Sequence, residues 1–201
     1  MEEIKQFWNR KHGNNNLKAL SGCTLEQANE VLQIQEMLKP GLKVLEVGCG
    51  LGYITKSLSE LGEVSVVDIA ENALDRVRPL CKNVYRSTET DQLPANYFDL
   101  IICHNVIQHV PTVDLKREFE DFAKALKKDG VLAIQFVECA PEDDCGEDYG
   151  YESSRLGFLG RSVSFMQNLF VAWGCNTRVI SSKEVAHPPI TATHTMHVTK
   201  R

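Results

Sequence analysis

Apolar positions along this chain switch between a helical period and short apolar runs, and the switching lays out the elements. Leu25, Ala28, Val31 and Leu32, then Gln35 to Leu38, recur at helical spacing behind Thr24. Thr24 with Gln27 forms a capping box, and Pro40-Gly41 stops the helix. A first strand over Val44–Val47 leads through a turn to a helix over Ile54–Leu61 that ends at Gly62. Residues 63–69, EVSVVDI, read as the second strand, Asn72–Cys81 as the next helix, and Val84-Tyr85 as a short third strand. Leu100–Cys103 has the unbroken apolar character of a parallel strand buried on both faces. An amphipathic helix over Leu115–Leu126 closes at Asp129-Gly130, and residues 131–138, VLAIQFVE, form the fifth strand. A helix over Ser162–Trp173, a strand over Thr177–Ser182 and a last strand, HTMHVTK, complete the chain.

Strand and helix alternate throughout, which predicts an α/β fold with a doubly wound, mostly parallel seven-stranded sheet and helices on both faces. The short Pro-Pro connection between the last two strands predicts an antiparallel hairpin at the sheet edge. No repeat or second domain interrupts the pattern. The 201 residues read as a single domain: an N-terminal lid or helical segment over 1–40, a core over 41–140, and a loop, helix and hairpin over 141–201.

Composition narrows the partners. With 43% hydrophobic and 24% charged residues the chain falls in the ordinary globular range. Its apolar runs are too short for a membrane span, and MEEIKQFWNRKHG lacks the apolar centre of a signal peptide. Seven cysteines, odd in number and never paired as C-x-x-C, point to neither a disulfide framework nor a thiolate zinc site, so a reducing cytoplasm is expected. A net charge of −5 argues against nucleic acid as partner, with Lys124, Lys127 and Lys128 read as a solubilised helix end.

The chemistry begins at VLEVGCGLGY, Val44–Tyr53, where an apolar strand reaches an acid, Glu46, and glycines follow at 48, 50 and 52. Glycines permit positive φ and let a ligand approach without meeting Cβ atoms, at the strand end where open α/β sheets bind ligands. The dinucleotide pattern G-x-G-x-x-G fails, because Tyr53 stands where its third glycine belongs, and no Gly-Lys-Ser/Thr follows for a P-loop. The acid would repel a pyrophosphate but suits a ligand carrying an ammonium group. Asp68, roughly 20 residues beyond the first glycine, ends the second strand as a ribose-binding acid does. It could equally cap the helix near Glu71.

The pattern E-x-G-x-G-x-G, Glu46, Gly48, Gly50 and Gly52, resembles the first motif of the class I S-adenosylmethionine-dependent methyltransferases. TETDQLPANYFDLIICHNVIQHV, residues 88–110, resembles the next two motifs in order, and the likeness covers about residues 40–140. The resemblance implies that S-adenosylmethionine is bound, with S-adenosylhomocysteine as product, by Glu46, Gly48, Cys49, Gly50, Gly52, Asp68 and Ile69. It further implies an acid near Leu93-Pro94, Glu89 or Asp91, that accepts from the adenine amino group beside Thr90. His104 and Asn105 would line the methionine pocket, and His109 would act as general base, since histidine titrates near neutrality. Each could instead serve packing alone.

The implied activity is methyl transfer to an oxygen or nitrogen of a small molecule, with a peptide acceptor or a non-catalytic binding subunit as alternatives. Residues 138–152 carry seven carboxylates, either a solvated loop or a rim that steers a cationic acceptor, with Tyr149 and Tyr151 as aromatic faces. Arg155 and Arg161 could pair with those acids or meet an anionic group, and Phe7 and Trp8 would form a lid or anchor the N-terminal segment. His187, His194 and His197 invite a metal reading, but no metal site is expected, because positions 194 and 197 would face opposite sides of one strand.

Overall fold

The computed structural model describes residues 2–13, 22–139, 159–187 and 190–201. Strand β1 (Leu42–Val47) pairs in parallel with β2 (Gly62–Asp68) on one side and β4 (Phe98–Cys103) on the other. Strand β3 (Asn83–Arg86) joins β2, and β5 (Leu126–Cys139) joins β4, both in parallel. Strand β7 (Ile190–Lys200) then runs antiparallel between β5 and β6 (Cys175–His187), giving the order β3-β2-β1-β4-β5-β7-β6. This is the mixed, doubly wound sheet with an edge hairpin that the sequence predicts, though Pro188 and Pro189 at its tip lie outside the described residues.

Alternation along each strand divides the core in two. Val44, Val66, Leu100 and Ile102 pack against α2 (Leu25–Leu32), α3 (Tyr53–Ser59) and α4 (Glu71–Val77). Leu45, Val67, Ile101, Phe136 and Met196 pack on the opposite face against α5 (Thr112–Ala125) and α6 (Val163–Ala172). A further helix, α1 (Glu2–Gly13), settles on α4 beside the first face, where Trp8 meets the core.

The Thr24–Gln27 capping box is present in both directions, yet the helix ends at Leu32 and not at Leu38. Gln33 turns left-handed at φ 51°, and the Asn29 side-chain oxygen takes the Ile34 amide. The carbonyls of Val31 and Leu32 are taken by the Thr195 hydroxyl at 2.9 Å and His197 Nε2 at 2.7 Å. Helix α5 starts at Thr112, three residues earlier than its apolar pattern, because Pro111 stands at the position before it.

The expected break at Asp129-Gly130 is a bulge within β5. The register there shifts between Phe98 and Leu100, and a Cβ on Gly130 would sit 2.8 Å from the Phe98 carbonyl oxygen. Lys127 is therefore a strand residue that reaches Asp99 at 2.6 Å, while Lys124 pairs with Glu120 at 2.9 Å. Among the described residues no helix is long and apolar enough to cross a membrane.

Candidate active site

Strands β1, β2 and β4 end on one edge, and the glycine loop crosses it. Its three glycines have different duties. The Gly48 amide donates to the Val67 carbonyl at 2.7 Å, and at φ 78° a side chain there would overlap Val106. Gly52, at φ 80°, would bring a Cβ within 2.6 Å of Val77 Cγ1. Gly50, at φ 50°, faces only the His12 ring, whose Cε1 is 3.6 Å from the place of a Cβ. Close approach to a ligand therefore rests on Gly50, and the outer two glycines serve packing. Gly52→Ala is expected to destabilise the fold by about 1 to 3 kcal/mol, combining the left-handed penalty with overpacking. A thermal melt unchanged within a degree would contradict this.

Asp68 is 7% exposed and holds the loop from below. One carboxylate oxygen accepts the Gly50 amide at 3.1 Å and the Cys49 thiol at 3.5 Å, and the other accepts the Ala70 amide at 2.8 Å. Ala70, not Asp68, occupies the N-cap of α4. Three donors still leave lone pairs on an ionised carboxylate, and the adjoining Ile69 is half-buried at the end of β2. Glu46 is buried and accepts from the Thr55 hydroxyl at 2.6 Å. Burial pushes its carboxyl up to about 8, against the opposing effect of the Thr55 hydrogen bond. Burial likewise drives the Cys49 thiol far upward.

On the other side of the edge, Glu89 accepts from the Arg86 amide at 3.0 Å and pairs with its guanidinium at 3.1 Å. These contacts hold its carboxyl below the usual range and close the 3₁₀ turn over Ser87–Gln92. Thr90 turns away: it is buried and donates its hydroxyl to Asp121 of α5 at 2.9 Å. After β4, His104 is lowered from its ordinary value by burial and is neutral at pH 7. Asn105 is left-handed at φ 59°, a conformation asparagine tolerates, with its amide donating to the Gln135 side chain at 3.2 Å. His109 lies in the 3₁₀ turn Ile107–His109, its ring meeting Trp8 edge-on at 5.0 Å between centroids.

Two residues absent from the sequence reading stand at the loop. Arg76 of α4 donates to the Gly50 carbonyl at 3.2 Å and the His12 carbonyl at 3.0 Å, bridging the glycine loop and α1. His12 of α1 is buried beside Gly50. A helical i, i+4 stripe of Trp8 and His12, whose rings stack at 5.7 Å, was the available signal for it. The link to Gly50 spans too many residues for any local motif to carry.

Farther off, Arg117 of α5 pairs with Asp114 at 3.1 Å and Glu118 at 3.4 Å, both buried. Burial pushes the Glu118 carboxyl up to about 8. On the hairpin, His194 lies 2.9 Å from the Ser182 hydroxyl and 3.0 Å from Glu138, and His197 binds Leu32 on the opposite face. Arg161 donates to the Gly160 and Val110 carbonyls at 2.9 and 3.1 Å. The acidic residues beyond Glu138, with Tyr149, Tyr151 and Arg155, fall outside the described residues, as does the side chain of His187.

This edge fits the methyl donor by its own chemistry, with a glycine at which a Cβ would meet no clash, a buried acid with lone pairs to spare and an orphaned buried imidazole nitrogen on His12. Residues 45–134 match a family model described as a methyltransferase domain. The matched segment runs from β1 into β5 and carries the glycine loop, Asp68 and Glu89, and the fold around it is similar to that of the class I, Rossmann-like S-adenosylmethionine-dependent methyltransferases. Among solved structures it resembles magnesium protoporphyrin IX methyltransferase from Synechocystis PCC 6803 with bound S-adenosylhomocysteine. That likeness has a TM-score of 0.69 at 14% identity, over 100% of this chain and 99% of the other. The N-methyltransferase NodS from Bradyrhizobium japonicum WM9 superposes with a TM-score of 0.68 at 16% identity, over 96% and 97%.

By sequence, the ubiquinone biosynthesis O-methyltransferase of Idiomarina loihiensis is 38% identical over 102 residues, 46% of this chain and 41% of that protein. Its counterpart from Xanthomonas euvesicatoria pv. vesicatoria is 28% identical over 145 residues, 68% of this chain and 58% of that protein. The chain thus spans about half the length of the curated relatives it matches.

Proposed function

We propose that this chain is an S-adenosylmethionine-dependent methyltransferase acting on an oxygen or nitrogen of a small molecule. The observation that carries the reading is Gly50, the one loop glycine with room beside it, held against Asp68 at the carboxyl edge of the sheet. When bound, S-adenosylmethionine supplies an electrophilic methyl carbon on a sulfonium. In this reading Asp68 accepts the ribose hydroxyls, Glu89 faces the adenine amino group, and Gly48, Cys49, Gly50 and Gly52 carry the loop past the methionyl end. Glu46 is the acid beneath that loop, and Ile69 borders the nucleoside. Thr90 contributes only through its backbone, since its hydroxyl is committed to Asp121. His104 and Asn105 flank the methionine pocket, and alignment of the two reactants supplies most of the rate.

The relatives named as O-methyltransferases favour an oxygen acceptor, for which a proton must leave the nucleophile. His109, following β4, is the group that takes it, with Trp8 fixing its ring. Free thiols at Cys23, Cys49, Cys81, Cys103 and Cys175 support a cytoplasmic setting.

Calorimetry with S-adenosylhomocysteine should give micromolar binding, and a panel of hydroxyl and amine metabolites should yield methylated product. No heat with either the donor or its product would end this reading. His109→Ala should lower kcat at least tenfold at pH 7 while leaving donor affinity within twofold. A turnover number within about threefold of wild type from pH 6 to 9 would remove His109 from the chemistry.

A further inference from the structure

We infer that His12, supplied by helix α1, is a cofactor-binding residue whose Nδ1 takes a ribose hydroxyl of the bound nucleoside. The inference rests on the methyl-donor reading above and extends it to a residue outside the resembled motifs. Three observations converge on it.

The first is an orphan. His12 is 8% exposed, and its Nδ1 is buried without a hydrogen-bond partner. Leaving a buried polar nitrogen unpaired is costly, so the arrangement makes sense when a partner arrives with a ligand.

The second is aim. The ring's Cε1 lies 3.6 Å from the place of a Gly50 Cβ, in ordinary contact distance at the one loop glycine where a Cβ would meet no clash. Asp68 and Arg76 are the charged groups acting on it, and burial lowers the imidazole below its ordinary value, so it is neutral at pH 7.

The third is fixation. Arg76 holds the His12 carbonyl at 3.0 Å, the Asn72 side chain donates to the Asn9 carbonyl at 3.0 Å, and Trp8 stacks on the ring at 5.7 Å. The imidazole is thus presented to the loop from a docked helix.

The neighbouring charge selects the ligand group. Asp68 would repel a carboxylate placed beside it, which disfavours the methionyl acid at this spot. A ribose diol suits both residues, since one hydroxyl can donate to Asp68 and the other can donate to or accept from a neutral imidazole nitrogen.

The test is calorimetry on the full chain with S-adenosylhomocysteine and with its 2′-deoxy and 3′-deoxy analogues. His12→Ala should weaken S-adenosylhomocysteine about tenfold, and His12→Asn, whose amide can reach the same place, should recover most of the loss. With one of the two deoxy analogues, wild type and His12→Ala should bind alike. In protein labelled with ¹⁵N at histidine, the His12 Nδ1 resonance should move on titration with S-adenosylhomocysteine, a readout that needs no substitution. Equal affinity of His12→Ala and wild type for S-adenosylhomocysteine, a tenfold loss that persists with both analogues, or an unmoved resonance in saturated wild type overturns the assignment. Those results would leave the methyl-donor reading standing. A wild-type chain that binds no S-adenosylhomocysteine overturns both.

Discussion

Replacing Asp68 with alanine should weaken S-adenosylhomocysteine binding by at least about 100-fold, the largest loss expected of any single side chain at this edge. Two losses add. The carboxylate would no longer meet the ribose, and a hydrogen bond to a charged group contributes about 1.5 to 3 kcal/mol. The loop would also lose its internal acceptor, since Asp68 takes the amides of Gly50 and Ala70 and the thiol of Cys49. Removing it leaves buried donors unpaired and lets the Gly50 segment drift from the place where the ligand needs it. Asp68→Asn should fall between, because its NH₂ must face one of those donors. Calorimetry measures the affinities, and a melting curve reports the loop separately. An Asp68→Ala protein that binds within threefold of wild type would sink the ribose role.

The second large effect is a loss of stability on the alkaline side. Glu46 and Glu118 both have carboxyls raised by burial to about 8, far above the value each takes in an unfolded chain. Below about pH 4.5 both are protonated whether folded or not, and the stabilising contribution is complete. As pH rises from there, the unfolded chain ionises first, so stability falls until the folded acids also ionise near 8. By linkage each acid removes on the order of 4 to 5 kcal/mol across that window.

Glu118→Gln should therefore melt at least about 8 °C higher than wild type at pH 9, with the difference at pH 5 within about 2 °C. The lowered histidines, His12, His104 and His197, act in the opposite sense. Their stabilisation is present above about pH 6.5 and is lost on acidification. They are common to both proteins and cancel in the comparison. Scanning calorimetry from pH 5 to 9 checks this, and an offset independent of pH would show that Glu118 is ionised in the folded chain.

How much of this the sequence discloses depends on the range of each interaction. The capping box at Thr24 and Gln27 is a four-residue device, so it is legible and present. The end of that helix at Leu32 is not, because its last carbonyls are satisfied by Thr195 and His197 across the length of the chain. The same holds at the site. Glu46, the three glycines and Asp68 announce themselves by spacing. Yet the division of labour among the glycines depends on Val106 and Val77, which spacing does not reveal. Thr90 sits in a motif-like stretch, and its turn toward Asp121 follows from α5 packing on that segment. Arg76 and His12 escape notice for the same reason, since what matters about each is a partner contributed by another element.

The junction of α2 with β7 also bears on the order of assembly. The carbonyls that end α2 accept hydrogen bonds from side chains 164 and 165 residues farther on. Closing so long a loop is entropically costly and kinetically late. During synthesis the carbonyls of Val31 and Leu32 stay open to water until the last strand enters the sheet, so the C-terminal cap of α2 is among the last parts of the fold to be completed.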